Sequence, residues 1–515
     1  MINFIDDILN KTTMYRVVLY VLFFFFISAI SLSFLKFIPY TPLDLITSLL
    51  VILLVSSISN FIFSYAYEAP TNVESVYITA LILFFIITPA QGGIYSQFLP
   101  LAFWASVWAM ASKYIFAIGR KHIFNPVAIA VVLTAFTINE SASWWIGTPT
   151  MLPFVILGGL LIIRKLRRID LLLSFIISAL TATIALDLIK GSDSSFILNT
   201  VILSVKNSAL FFFAFIMLTE PLTAPSTKWP RIAFGVLVGL LYPTALHFGP
   251  VYSTPELALV IGNIFAYIVS PKEKLFLKLK ERIEIGTDTF DFVFQKDEQN
   301  KKFNFKAGQY MEWTLKHRSP DARGNRRYFT LASSPTETEI HLGVKFYPEP
   351  SSFKNRLLAL PIGGEIIATQ TSGDFTLPSN TEKELVFIAG GIGITPFRSM
   401  IQYLIDKNEK RKITLLYSNK KVSDIAYKQV FDQAKEKFDI KTVYAITDNN
   451  EPLTDSSMYA GFIDAKIIQK EVPDFMNKMF YISGPHGMVR AFEKTLKSIG
   501  VSNRNIKIDF FPGFA

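Results

Sequence analysis

The 515-residue sequence contains no cysteine. That excludes disulfides, a thiol nucleophile, a thiolate-ligated iron–sulfur cluster and thioether-attached haem. Histidine is scarce: His122, His247, His317, His341 and His486 are the full set. No metal site is expected. Charge is scarce in one half only. Residues 1–271 hold 14 Lys and Arg and 11 Asp and Glu, about 9%. Residues 272–515 hold the other 37 and 30, about 27%. A soluble domain averages about 25%, so the second half reads as soluble and the first as a membrane domain. The net charge of +10 and the pI near 9.3 would suit a nucleic-acid binder. The basic residues of the first half lie instead in loops between apolar runs, and no nucleic-acid partner is expected.

What is present in the first half is apolar length. Val17 to Leu35 carries no charge at all. It is too long for a signal-peptide core and no A-x-A cleavage site follows, so it reads as an uncleaved span. Further runs lie at roughly 43–66, 74–89, 97–118, 123–138, 150–164, 169–189, 199–219, 232–247 and 255–270. About ten helices surrounded by lipid are predicted. With the N-terminus inside, the cytoplasmic loops collect Lys11, Arg16, Lys113, Arg120, Lys121, Arg164, Lys165, Arg167, Arg168, Lys228 and Arg231. The other side has Lys36, Lys190 and Lys206. Eleven against three obeys the positive-inside rule. Ten spans return the chain to the cytoplasm, so a multi-pass protein of the cell membrane with a cytoplasmic soluble half is expected. Pro and polar residues break several helix ends: Thr88-Pro89-Ala90, Asn125-Pro126, and Thr219-Glu220-Pro221. Breaks five helices apart predict two five-helix repeats of inverted topology, with a site between them.

FNPVAIAVVL (124–133), WWIGTPTMLPF (144–154), GGLLIIRK (158–165) and LTEPLTAPST (218–227) carry a resemblance. They resemble the ten-helix flavoprotein subunits of two ion-pumping respiratory complexes, the Rnf complex D subunit and the B subunit of sodium-translocating NADH:quinone reductase. The resemblance implies a membrane flavin, FMN, on the outer side, held on a Thr in an S-G-A-T type motif. Here that stretch is Ile146-Gly147-Thr148-Pro149-Thr150. Ser is replaced by Ile146 and the flavinylated Thr by Pro149, which leaves Thr148 and Thr150 as the hydroxyls for a second flavin. Non-covalent flavin or quinone between the repeats is equally compatible, with Trp144 and Trp145 at hand to flank a ring.

From residue 272 short alternating strands give way to strand–helix alternation. A flavin needs a guanidinium for its pyrophosphate, an aromatic face to stack on and a hydroxyl near N5. Arg327, Phe329 and Thr330 supply these on one extended segment with Tyr328 between them, and Ser333 follows. Alternation puts Arg327 and Phe329 on one strand face and Thr330 on the other. Ser352, Phe353 and Lys354 open an apolar helical run, where backbone N–H groups suit phosphate. Glu384 to Ala389 reads as a buried strand. It enters Gly390-Gly391-Ile392-Gly393-Ile394-Thr395-Pro396 and then a helix, a phosphate or nicotinamide cradle. A second strand runs into Ser483-Gly484-Pro485-His486-Gly487-Met488.

These pieces, in this order, resemble the ferredoxin–NADP reductase family over nearly all of residues 272–515. The resemblance implies an antiparallel β-barrel that binds FAD (272–380) and an α/β nucleotide-binding domain (381–515) behind the 1–271 membrane domain. It places FAD on Arg327, Tyr328, Phe329, Thr330, Ser333, Ser352, Phe353 and Lys354. Nicotinamide falls to Gly390, Gly391, Gly393, Thr395, Pro396, Gly484, Pro485 and Met488. Catalytic positions are Thr330, Ser483 (where relatives have Cys) and Phe514, the aromatic that covers the flavin. NADH and NADPH stay open, because Lys420 and Lys421 follow the second strand and no acid stands there for a ribose hydroxyl.

The combined expectation is an NAD(P)H-dependent FAD oxidoreductase that passes electrons to a membrane flavin, a quinone or an extracytoplasmic acceptor. Relatives that reduce haem in the membrane need four His ligands in facing pairs, and this half offers only His122 and His247 near opposite edges. No haem is therefore expected. An inverted-repeat transporter or channel regulated by a fused reductase is the other reading of the broken helices.

Overall fold

A computed structural model describes residues 9, 12–68, 73–92, 96–118, 121–206, 208–249, 251–270, 274–296, 303–317, 321, 325–448, 450–452 and 457–511. By its internal contacts the chain falls into two compact units, Met1–Ser270 and Pro271–Ala515.

The first unit is helical: α1 Met14–Phe34, α2 Pro42–Ala66, α3 Val73–Ile86, α4 Phe98–Ile115, α5 Pro126–Thr137, α6 Leu152–Leu166, α7 Ile169–Ile189, α8 Ser194–Lys206, α9 Ser208–Phe212, α10 Lys228–Leu241 and α11 Pro255–Val269. Two small hairpins interrupt them. Strands β1 Ala117–Ile118 and β2 Lys121–His122 lie between α4 and α5. Strands β3 His247–Phe248 and β4 Val251–Tyr252 lie between α10 and α11. Helix starts follow local chemistry. Thr41 and Asp44 form a capping box with Pro42 at the first position. Asn125 caps α5 through the Val127 and Ala128 N–H groups.

Helix α2 inverts the packing of a soluble helix. Its Leu43, Ile46, Leu50, Leu54, Ile58 and Phe61 point outward, while Ser48, Ser56, Ser59 and Asn60 are buried. Large apolar groups on the outside and small polar ones between helices are what a lipid surround favours. Helices α7 and α10 show why. A Cβ at Gly239 would lie 2.7 Å from the Phe175 carbonyl and 3.0 Å from the Ala179 nitrogen, and Gly235 is similarly pressed against Ser174. Gly239→Val must therefore push two backbones apart. We expect a loss of about 1–3 kcal/mol, the usual cost of overpacking. A melting curve in detergent, with the half-exposed Leu240→Val as control, checks it.

Among the described residues three helices are long and apolar enough to cross a membrane unaided: Met14–Phe34, Pro42–Ala66 and Ile169–Ile189. The stretch read as one span at 199–219 is bent by 54° between Ser194–Lys206 and Ala209–Met217, with a π-helical turn at Phe213–Met217. The run expected at 74–89 stops as a helix at Ile86, because Pro89 cannot continue it. The freed Ile86 carbonyl is taken by the Ser143 and Trp144 N–H groups, each at 2.9 Å. Backbone leaves the helix only where protein satisfies it.

The second unit holds two six-stranded sheets. Strands β5 Lys274–Gly286, β6 Thr289–Lys296, β7 Tyr310–Thr314, β8 Arg326–Thr330, β9 Ile340–Lys345 and β10 Glu365–Ser372 pair antiparallel in the order β8-β7-β10-β5-β6-β9. Helix α12, Ser352–Leu358, follows β9. Its Phe353 and Leu357 join the apolar core under this sheet. The other sheet is parallel, built from β11 Leu385–Gly390, β12 Ile413–Asn419, β13 Lys441–Ile446, β14 Met458–Ala460, β15 Met479–Pro485 and β16 Ile506–Phe511. Its order is β14-β13-β12-β11-β15-β16. Helices α13 Thr395–Lys407, α14 Lys428–Phe438, α15 Ala465–Glu471 and α16 His486–Ser498 connect the strands. Every residue of β11 is buried, as a central parallel strand requires. The chain leaves β11 toward β12 and later returns on the other side as β15. The reversal of order puts a crevice at the carboxyl ends of β11 and β15.

Candidate active site

Of the residues expected to hold a flavin, Arg327, Phe329, Ser352 and Phe353 gather where β8 meets α12. Along β8, Arg326 and Tyr328 are exposed while Arg327 and Phe329 are half-buried, the alternation that the sequence predicts. Phe353 sits between the latter two. The Arg327 guanidinium lies 5.5 Å from its ring centre, and the Phe329 ring 5.8 Å from it at 39°. Arg327 Nη2 donates to both oxygens of Asp321 at 3.0 and 3.2 Å. Asp321 also accepts from the Ser352 N–H at 3.2 Å, and the Ser352 hydroxyl accepts from the Asp321 N–H at 2.8 Å. His317 Nε2 stands 3.1 Å from that hydroxyl. A guanidinium and a backbone N–H thus already share one oxyanion. That donor set fits a pyrophosphate.

Asp321 escaped the sequence reading, because nothing in its loop is periodic. Lys354 lies in the first turn of α12, but its ammonium donates to the Lys345 carbonyl at 2.8 Å and lies over the Tyr347 ring at 5.1 Å. Tyr328 turns away from Arg327 and Phe329 and donates to Glu312 at 2.8 Å.

Two further loop segments are brought together. Gly308, at φ +94, has no room for a Cβ beside the Phe375 carbonyl. The Gln309 amide donates to the Gly373 carbonyl at 3.2 Å. So Lys306–Tyr310 and Gly373–Phe375 flank one place, reached through the irregular pairing of Tyr310 with Ser372.

The residues expected to meet a nicotinamide lie at the crevice. Gly390, Gly391 and Gly393 end β11 and form a 3-10 turn into α13. Gly484, Pro485 and Met488 end β15 and begin α16. The loops touch: a Cβ at Gly393 would be 2.6 Å from the Gly484 Cα, and a Cβ at Gly390 would meet Met488. Gly391, at φ +51, faces open space. Thr395 lies in the first turn of α13 and donates to the Ile392 carbonyl at 3.2 Å, and Pro396 follows at the helix start. Three hydroxyls, on Thr330, Ser333 and Ser483, are buried and have no partner among the described residues. An orphaned hydroxyl is costly unless something else takes it. Thr330 and Ser483 are therefore suited to a ring that carries hydrogen-bonding atoms. Phe514 lies outside the described residues. Of the two lysines after β12, Lys421 stands 3.6 Å from Glu451 and Lys420 is exposed.

In the helical unit, Thr148 and Thr150 are half-buried with their hydroxyls 3.1 Å apart. The chain turns sharply just before them, with Trp144 at φ +55, a strained conformation for a bulky residue. Its indole donates to the buried Glu256 at 2.6 Å. The Trp145 indole donates to the Phe84 carbonyl, and its ring is buried. A second polar cluster closes the other helix break. Glu220 accepts from the Asn125 amide at 2.9 Å and from Thr223 at 3.2 Å, and faces His122 at 3.1 Å. Asn263 of α11 accepts the Asn125 N–H at 2.8 Å.

Three family models match. Residues 145–272 match the NQR2, RnfD, RnfE family, 276–376 the oxidoreductase FAD-binding domain and 387–494 the oxidoreductase NAD-binding domain. The chain is 25% identical over 244 residues to a flavohemoprotein of Oceanobacillus iheyensis, covering 46% of this chain and 58% of that one. It is 30% identical over 200 residues to the F component of the Na(+)-translocating NADH-quinone reductase of Yersinia pestis, covering 36% and 49%. It thus spans about half the length of these curated relatives. Among solved structures, it is similar to the Amycolatopsis cytochrome P450 reductase (24% identity, TM-score 0.42, covering 48% of this chain and 72% of that one). It is also similar to the cytochrome b5 reductase domain of Ulva prolifera nitrate reductase (22%, TM-score 0.41, 47% and 98%). The C-terminal half carries FAD- and NAD-binding oxidoreductase domains of ferredoxin–NADP reductase type, and the middle of the chain carries an NQR2/RnfD/RnfE segment.

Proposed function

We propose that this protein is a membrane-bound NAD(P)H-dependent flavin oxidoreductase that moves electrons from NAD(P)H through FAD to a membrane flavin, a quinone or an extracytoplasmic acceptor. One observation carries the reading. A cradle that already holds an oxyanion and a Gly-lined crevice at a sheet switch point share one unit, on the same chain as an apolar helical unit. In this reading Arg327 and the Ser352 N–H bind the FAD pyrophosphate, Phe329 flanks its isoalloxazine with the buried Phe353 packed behind it, and Thr330 donates to N5. Gly390, Gly391 and Gly393 let the nicotinamide approach the ring, and Ser483 and Met488 close its other side. The chemistry FAD supplies there is acceptance of a hydride and release of electrons one at a time.

For the helical unit we propose two inverted five-helix repeats. The element order supports this. Each half runs helix, helix, broken helix, helix, two-stranded hairpin, helix, and each last helix starts at a capping polar residue followed by Pro: Asn125-Pro126 and Thr254-Pro255. Each break is closed by polar groups, Ser143 at Thr88 and His122 with Asn125 at Glu220. The loop charges support a cytoplasmic reductase. Thr148 and Thr150 stand on the opposite side, where FMN would be held covalently or as a free ligand.

The test is a flavin inventory on the purified full chain. We expect more than one flavin per chain. Fluorescence in a denaturing gel that disappears in Thr148→Val or Thr150→Val would mark a covalent one. One FAD in total, with no quinone reduction, would sink the electron path.

A further inference from the structure

Helix α13 begins at the nicotinamide loop, and its first turn is bolted to the segment that leaves the flavin strand. Ala332 and Ser333 come two and three residues after Thr330. The Ala332 carbonyl accepts from Arg398 Nη1 at 3.1 Å. The Ser333 carbonyl accepts from the Ser399 hydroxyl at 2.6 Å. Arg398 also forms a two-point ion pair with Glu337, Nη2 to Oε1 at 2.8 Å and a closer contact from Nη1 to Oε2. Glu337 in turn accepts the Ser334 N–H at 2.5 Å.

The surroundings hold the pair still. Arg398 is only 7% exposed, and the Tyr427 ring lies 5.6 Å from its guanidinium. Burial, with the Asp291 carboxylate beside it, pushes the Tyr427 hydroxyl well above its ordinary range, so it stays neutral. His341 contacts Asp291 at 2.7 Å and stands 4.0 Å from Glu337. Lys296 donates to the Glu337 carbonyl at 3.3 Å.

We infer that Arg398 and Glu337 are a positioning pair that sets the separation between the nicotinamide loop and the flavin strand, and so the distance over which hydride is transferred. The inference rests on the reading of this unit as an NAD(P)H–FAD reductase. The physical reason is directionality. A buried ion pair adds little net stability over a well-packed apolar pair of the same volume, yet a fork of directed bonds fixes register that apolar packing does not. Arg398 is two residues from Pro396, so its displacement moves the loop. A displacement of about 1 Å costs on the order of 100-fold in rate.

The experiment uses the full chain with FAD bound and compares wild type, Arg398→Lys and the double variant Arg398→Met/Glu337→Met. The double variant leaves no lone buried charge and so tests position rather than folding. Rapid-mixing flavin reduction by NADH and by 4-deuterated NADH, the KM, bound FAD, the melting temperature and amide exchange of the ligand-free protein are read together. We expect flavin reduction to fall about 10–100-fold in the double variant, with the isotope effect changed. Bound FAD, melting temperature and KM should stay near wild type, and amide exchange should quicken at 331–336 and 391–398. Arg398→Lys should lie between. Unchanged reduction in both variants overturns the inference. So does a slower rate that merely tracks lost FAD, lost stability or raised KM. If wild type itself is not reduced by NADH or NADPH, the parent reading fails instead.

Discussion

Arg327→Ala is expected to leave the protein without bound FAD. Its guanidinium is mostly buried, forms a two-point bond to Asp321 and lies against Phe353. It is the one cationic side chain seen at this cradle among the described residues. A hydrogen bond to a charged group is worth about 1.5–3 kcal/mol, so losing one weakens binding roughly 10- to 150-fold and losing two more. Arg327→Lys should be intermediate, because an ammonium keeps the charge but not the fork. Asp321 will be left without its cation in Arg327→Ala, and its carboxylate then opposes the anion, which adds to the loss. The flavin-to-protein ratio after gel filtration, followed by FAD titration of the stripped protein, measures the effect. Retained FAD with unchanged NAD(P)H oxidation would contradict the site.

Gly393→Val is expected to abolish reduction by NAD(P)H while FAD stays bound. The ideal Cβ at this position falls onto the Ser483 carbonyl and lies 2.6 Å from the Gly484 Cα. Both are backbone, so neither can swing aside as a side chain does. The loops ending β11 and β15 must separate, and the crevice between them is where we propose that the nicotinamide is held. A shift of about 1 Å at reacting atoms costs on the order of 100-fold. Gly391→Ala is the matched control. Its Cβ meets nothing within 4 Å, so only the positive φ is penalised, by about 1 kcal/mol. The two variants separate collision from backbone strain. Chemical reduction of the flavin by dithionite should be unaffected in both. A Gly393→Val protein that still oxidises NAD(P)H at the wild-type rate would remove this crevice from the proposal.

Much of the reductase site was legible in the chain order. Arg327 and Phe329 had to share a strand face, because side chains alternate along a strand, and the exposure pattern of β8 follows that rule. The glycines after Ala389 announced a turn where backbone must come close, and their Cβ positions show which neighbours require it. Asp321 was not legible. It stands in a loop without periodicity and meets Arg327 and Ser352 only because β8 and α12 lie side by side. Arg398 and Glu337 are 61 residues apart, too far for any local pattern to join them. The same holds for the helical half. Pro89 and Pro221 marked the broken helices, but the residues that satisfy the freed carbonyls, Ser143 and Trp144 at Ile86, Asn125 at Met217 and Arg168 at Thr219, come from elsewhere in the chain. The hairpins β1–β2 and β3–β4 also went unseen, since two-residue strands have no period to read.

Composition alone divided this protein. Nine per cent charge against twenty-seven is a solvent requirement written residue by residue, and no tertiary contact alters it. The absence of cysteine likewise belongs to the chain by itself and turns attention to flavins as electron carriers. Folding decided which groups meet. It set Asp321 on Arg327, Trp144 on Glu256, Asn125 on Asn263, and Arg398 between Ala332 and Glu337. The reason is the range of the forces. Hydrophobic patterning and turn chemistry act through near neighbours in sequence, whereas a hydrogen bond or an ion pair needs atoms within about 3 Å, a separation that only the folded chain can impose.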